Sequence, residues 1–148
     1  MVLAAIDPSI ANTGYAVLDN GKLIMHGRQP LREFTQIREL VAKINDYVGI
    51  DLELVIIEAG YVSANAKTGL QLAELRGALT YAFRDYGVKV ITVLPSQWRK
   101  TTIKPPARTK RLELKRLAKE YVLQTYGVSV TDDEADAACI ATHAYSQS

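Results

Sequence analysis

Two apolar runs end in an acid. Residues 2–6 stop at Asp7, and residues 54–57 stop at Glu58. A carboxylate closing a buried strand is costly unless it is paired or holds a metal. A third acidic group lies near the end of the chain, in Thr131-Asp132-Asp133-Glu134-Ala135-Asp136. Thr131 and Glu134 fit a capping box, S/T-x-x-E. Asp132 and Asp133 then fall in the first helical turn, where acids suit the helix dipole. Asp136 has no such explanation, because it lies past that turn among alanines. Asp133 and Asp136 share a helix face at i, i+3, with Cβ atoms about 5–6 Å apart. Asp132 and Asp136 would also face together at i, i+4, so the third acid is Asp133 or Asp132. Four carboxylates without a Cys/His cluster point to Mg²⁺, with Mn²⁺ as a substitute, and not to zinc. Such sites clamp two ions about 3.5–4 Å apart and hydrolyse phosphodiesters.

The second chemical feature is a run of cations. Residues 99–119 hold nine Lys and Arg against the single acid Glu113, in a chain whose net charge is +2. The rest of the chain is therefore acidic, and this segment is the one suited to a polyanion. A solvated helix face is the plainer explanation of a basic run alone. Together with the acid cluster, the run reads as a nuclease and its phosphate-rich substrate.

These residues need elements to position them. Residues 2–7 read as a strand, Asn12-Thr13-Gly14 as a turn, and residues 15–18 as a second strand. Asp19-Asn20-Gly21 is a hairpin turn into a third strand over residues 22–25. Short turns make these three strands antiparallel. Ile37, Leu40, Val41, Ile44 and Val48 keep helical spacing. Residues 54–57 form a buried strand, residues 70–83 a helix, and residues 88–94 a further strand. Strand, helix, strand, helix, strand implies a parallel half. Right-handed crossovers would bring the ends at Asp7 and Glu58 side by side. Pro95 and Pro105-Pro106 frame a loop. Leu114, Leu117, Ala118, Tyr121 and Val122 mark a helix that carries Arg111, Lys115 and Lys119 as a basic stripe. A last helix starts near Thr131. The expectation is one α/β domain over residues 1–148, with a mixed sheet of about five strands flanked by helices.

With these elements in order, the sequence resembles a known family. Ala5-Ile6-Asp7-Pro8-Ser9-Ile10-Ala11-Asn12-Thr13-Gly14-Tyr15-Ala16-Val17, Ile57-Glu58-Ala59-Gly60-Tyr61, Glu74-Leu75-Arg76-Gly77-Ala78 and Asp133-Glu134-Ala135-Asp136-Ala137 look like the RuvC Holliday-junction resolvases. The small size looks like a bacteriophage-borne member. The resemblance implies an RNase H-like fold and a homodimer that nicks opposed strands of a four-way DNA junction. It implies Asp7, Glu58, Asp133 and Asp136 as metal ligands and Lys110 as the lysine near the scissile phosphate, with Arg108 or Arg111 as substitutes. Tyr61 falls at the position of the junction wedge, although an ordinary loop tyrosine is the plainer reading. The helix with Arg76 and Gly77 resembles the dimer-forming helix. Ser9 stands where the family commonly has glycine, and the loop 101–109 does not align securely.

Other residues carry less. His26 and His143 lack partners at metal-ligand spacing, although His143 lies two turns past Asp136. Cys139 reads as a small buried residue. Trp98 reads as packing at a helix start capped by Ser96. One cysteine cannot form an internal disulfide, and no apolar run approaches the ~18 residues of a membrane span. No signal peptide is recognisable, so a cytoplasmic protein is expected. Three other functions compete. One is a related nuclease acting on other branched DNA or RNA, and another is a non-catalytic junction binder. An actin-like ATPase also opens with an Asp and a hairpin Gly, but it needs two such halves, so no nucleotide cofactor is expected.

Overall fold

The computed structural model describes residues 1–48, 51–60 and 65–148. Its strands are β1 (Val2–Asp7), β2 (Thr13–Asp19), β3 (Lys22–Gln29), β4 (Leu52–Glu58) and β5 (Lys89–Val93). Its helices are α1 (Phe34–Val48), α2 (Ala66–Asp85), α3 (Pro95–Thr101), α4 (Arg111–Tyr126) and α5 (Asp132–Ser146). The sheet order is β3-β2-β1-β4-β5. β1 pairs antiparallel with β2 and parallel with β4, β2 pairs antiparallel with β3, and β4 pairs parallel with β5. This is the expected mixed sheet.

The central strands read as unbroken apolar runs because both of their faces are covered. Leu3, Ala5, Ala16, Leu18, Leu54 and Ile56 point into one core, shared with Trp98, Ala118, Val122 and the alanines of α5. Ala4, Ile6, Tyr15, Val17, Val55 and Ile57 point into the other, shared with α1, α2 and Phe83. This alternation within a continuous run is the period-2 geometry of a strand. α5 lies across β1 and β2, and its inward residues Ala135, Ala138 and Ala141 are fully buried. Small side chains let that helix lie close to the sheet.

Several boundaries differ from the sequence reading. β3 continues to Gln29 as an edge strand. α2 begins at Ala66, where the Asn65 side chain accepts from the backbone N–H groups of Lys67 and Thr68. The loop expected from Pro95 onward contains α3. Leu94 is its N-cap and Pro95 occupies its first turn, so Ser96 does not cap it. Proline suits that position because its ring presets φ and no N–H is lost there. Gly14 is not in a turn either. It lies inside β2, paired with Asp7.

Candidate metal centre and nucleic-acid interface

The register of β1 on β4 pairs Ile6 with Ile57. The next residues, Asp7 and Glu58, therefore leave adjacent strand ends together. The acids of α5 arrive from the neighbouring face. Thr131 Oγ1 accepts from the Glu134 N–H at 3.4 Å, which realises the expected capping box and fixes where the first turn begins. Gly14 sets how near that turn comes. A Cβ on Gly14 would lie 1.9 Å from the Asp133 carbonyl oxygen, so a side chain there cannot be accommodated. The glycine is thus required by close approach, not by turn geometry.

Asp7, Glu58, Asp133 and Asp136 line one cavity of about 770 Å³, together with Asp132, Arg99, Arg111 and Lys115. Burial pushes the Asp7 carboxyl well above its ordinary value, and the charges of Glu58, Asp136 and Asp133 push it further. Burial and Glu58 raise Asp136 to about 7, against the opposing pull of Arg99. Glu58 is also raised by burial, while a hydrogen bond from Trp98 and the charge of Arg99 work against the rise. Asp133 is raised mainly by burial, with Arg28 opposing. Burial raises all four acids, and neighbouring carboxylates further oppose the ionisation of Asp7 and Asp136, which leaves the site short of positive charge. Among the described residues, no three carboxyl, imidazole or thiol groups already stand as a closed ligand set. The donor chemistry nonetheless fits a hard divalent cation: carboxylate oxygens at a strand-end cleft, with the lone thiol, Cys139, buried and not part of its lining.

Asp132 also borders this cavity, but it lies 3.7 Å from Lys115 Nζ and 3.1 Å from Lys119 Nζ. The charge of Asp133 raises the carboxyls of Asp7 and Asp136, whereas Asp132 is held in ion pairs with two lysines. Lys115 and Lys119 of the expected stripe are therefore already engaged. Arg111 borders the cavity. Lys110 is the exposed N-cap of α4, outside the cavity lining. Arg108 lines a neighbouring cavity. Arg76 is half-buried on α2, with its guanidinium near Gly60. Tyr61 lies outside the described residues. His143 is not among the residues lining this cavity, and its Nδ1 lies 2.7 Å from Thr101 Oγ1. His26 contacts Glu134.

Sequence reasoning missed two residues at this site. Trp98 is 1% exposed, and its Nε1–H donates to Glu58 Oε2 at 2.7 Å. Arg99 follows it and acts on both Glu58 and Asp136. Arg99 was legible only as the first cation of the basic run and Trp98 only as a packing residue, and α3 after β5 carries both.

The five-stranded mixed sheet, with acids at adjacent strand ends and on the helix across them, defines the class: an RNase H-like nuclease. The family model described as "Crossover junction endodeoxyribonuclease RuvC" matches residues 3–143. The chain belongs to the RuvC family and is a crossover junction endodeoxyribonuclease, a Holliday-junction-resolving enzyme. Nucleases of this family depend on divalent metal. The RuvC of Caldicellulosiruptor saccharolyticus is 27% identical, over 95% of this chain and 90% of that one. The RuvC of Caldanaerobacter subterraneus is 29% identical, over the same 95% and 90%. In fold, the chain is similar to T. thermophilus RuvC in complex with a Holliday junction substrate, with TM-score 0.78, 22% identity and coverage of 99% and 94%. Fowlpox virus resolvase, also solved with junction DNA, matches with TM-score 0.62 at 16% identity over 99% of each chain.

Proposed function

We propose that Asp7, Glu58, Asp133 and Asp136 are the catalytic metal ligands, that they hold two Mg²⁺ ions, and that Mn²⁺ can replace them. The carrying observation is the convergence of four desolvated carboxylates from β1, β4 and α5 in a cavity walled by Arg99, Arg111 and Lys115. Bound divalent cations supply positive charge to the developing oxyanion and lower the pKa of the attacking water. The chain's own residues do the positioning. Trp98 holds one Glu58 oxygen, which fixes the rotamer of that carboxylate. Arg99, Arg111 and Lys115 present donors to the phosphate, which keeps it in register over the acids. Lys110, just outside the cavity, reaches the scissile phosphate and stabilises its charge.

Arg76, Arg108 and Lys119 contact the DNA backbone on this reading. Tyr61 stacks at the crossover, where a base–aromatic contact contributes about 1–3 kcal/mol. The working unit is a homodimer formed through α2. That helix exposes Leu70, Gly77 and Tyr81 at positions that share one face, with open space beyond Gly77. The substrate is four-way branched DNA, cut by paired nicks without a nucleotide cofactor, and the setting is the bacterial cytoplasm. Among the described residues, no helix is long and apolar enough to cross a membrane.

A cleavage assay tests this reading. It compares an immobile four-way junction, a matched duplex and a flap, each labelled on every strand, with Mg²⁺ and with EDTA. Paired nicks on opposite strands of the junction alone are expected. Equal cutting of all three substrates would reduce the protein to an unselective nuclease. Tight binding without cutting would make it a junction binder.

A further inference from the structure

The segment from α3 into α4 encloses a second cavity of about 480 Å³, lined by Arg99, Lys100, Lys104 and Arg108. Arg99 and Leu114 border the acidic cavity as well, so the two cavities share a wall. The cations around the second cavity differ in their partners from three of the four on α4, Arg111 at the acidic cavity being the exception. On α4, Arg116 pairs with Glu113 and Glu120, while Lys115 and Lys119 pair with Asp132. Among the described residues, none of the four cations around the second cavity forms an ion pair. Arg99 Nε is buried without a hydrogen-bond partner, a costly state for a charged donor.

The backbone adds an independent observation. Lys104 and Arg108 both adopt left-handed φ values, 44° and 63°. Lys104 closes the turn after α3, with its N–H bonded to the Arg99 carbonyl at 2.8 Å. Glycine or asparagine is the low-cost residue at such positions. Two cations held there, beside a cavity, are the kind of local strain that marks a binding site. Like charges around one space repel one another, and an anion between them relieves that repulsion.

We propose that this cavity is a phosphate-binding subsite for the cleaved DNA strand, seating a backbone phosphate next to the one attacked at the carboxylates. The proposal rests on the nuclease reading above. A strand whose scissile phosphate lies over Asp7 and Asp136 continues past Arg99 into the basic cavity. There Lys100, Lys104 and Arg108 donate to the non-bridging oxygens. The contact carries no base information. It fixes the register of the strand, and therefore which bond meets the acids.

The test measures junction binding in EDTA by the wild type, Lys100→Gln and Lys104→Asn. Asparagine tolerates the left-handed backbone, and Lys100 lies on regular helix, so the pair guards against a folding artefact. The substrates are unmodified junctions and junctions with one neutral methylphosphonate at each backbone position near the cut. On the unmodified junction each variant should bind about eightfold more weakly at about 0.1 M salt, from a slope of about 0.9 per phosphate. That loss should vanish at one methylphosphonate position shared by both variants. A loss equal at every position, or no loss, overturns the subsite. Wild-type cleavage of the unmodified junction runs alongside. If it cleaves while the losses are uniform, only the subsite fails, and if it does not cleave, the nuclease reading fails too.

Discussion

Asp132 and Asp133 are consecutive residues in the first turn of α5, and their surroundings are opposite. Asp132 lies within 3.7 Å of two lysines, and its side chain is 38% exposed. Asp133 joins Asp7 and Asp136, and burial raises its carboxyl. An exposed ion pair of the first kind contributes ~0–1 kcal/mol and is explained by the fold itself. A cluster of the second kind opposes folding until a cation arrives, so the fold does not explain it. The basic residues divide in the same way. On α4, Arg116 pairs within the helix and Lys115 and Lys119 pair with Asp132, whereas Arg99, Lys100, Lys104 and Arg108 before it line a cavity. The groups without charge partners are the ones that the fold alone does not explain, and raw charge density does not separate the two kinds.

The sharpest way to break this comparison is Asp7→Asn. It removes a metal ligand and one buried charge, so cleavage should fall by about three orders of magnitude or more. Junction binding should be unchanged or tighter. Retained cutting would show that the cluster is not the centre.

Next in size is a pH effect on stability. Asp136 has a folded pKa of about 7, above the ordinary value of 3.8. The folded state thus holds this proton more tightly than the unfolded state. The contribution of Asp136 to stability should therefore be fully present below the ordinary value and be lost as pH rises through about 7. Asp136→Asn should raise the Tm of metal-free protein at alkaline pH, and saturating Mg²⁺ should do the same for the wild type. A variant that melts at the wild-type temperature across that pH range would contradict the cluster's electrostatics.

Trp98→Phe keeps the ring and removes the donor to Glu58. Metal affinity should drop about 10–100-fold, as is typical when a ligand loses its supporting hydrogen bond. Trp98 is the only tryptophan in the chain, so its fluorescence in the wild type should also change as metal binds. An unaltered titration in the variant would leave Trp98 a packing residue.

The smallest effect belongs to the paired side of the comparison. Asp132→Asn should leave cleavage within about threefold and tighten junction binding by less than about tenfold, because it frees Lys115 and Lys119. Loss of cleavage on the scale of Asp7→Asn would make Asp132 a ligand after all.

The topology and three of the four acid positions followed from local rules. Apolar runs ending at Asp7 and Glu58, short hairpin turns and right-handed crossovers were enough to put two carboxylates side by side. Asp136 stood out because no capping role explained it. The rest depended on contacts between distant segments. Asp132 and Asp133 are equivalent in spacing, and the ion pairs that Asp132 makes come from Lys115 and Lys119 on another helix. Gly14 looked like a turn residue, yet its role comes from the Asp133 backbone lying against it. Trp98 lies 40 residues from Glu58 in sequence, and no periodicity links the two. Lys115 and Lys119 kept the spacing of a DNA-facing stripe, but the sequence could not show the acid already between them.

The most direct test of the central claim is a calorimetric titration of metal-free protein with Mg²⁺ or Mn²⁺, run in two buffers of different protonation enthalpy. At about pH 7, where Asp136 is half-protonated, binding should release protons, because the acids must ionise to serve as ligands. The release should diminish as pH rises above that range, and Asp7→Asn should lose the binding. Binding without proton release, or equal binding by Asp7→Asn, would contradict a centre built from these four carboxylates.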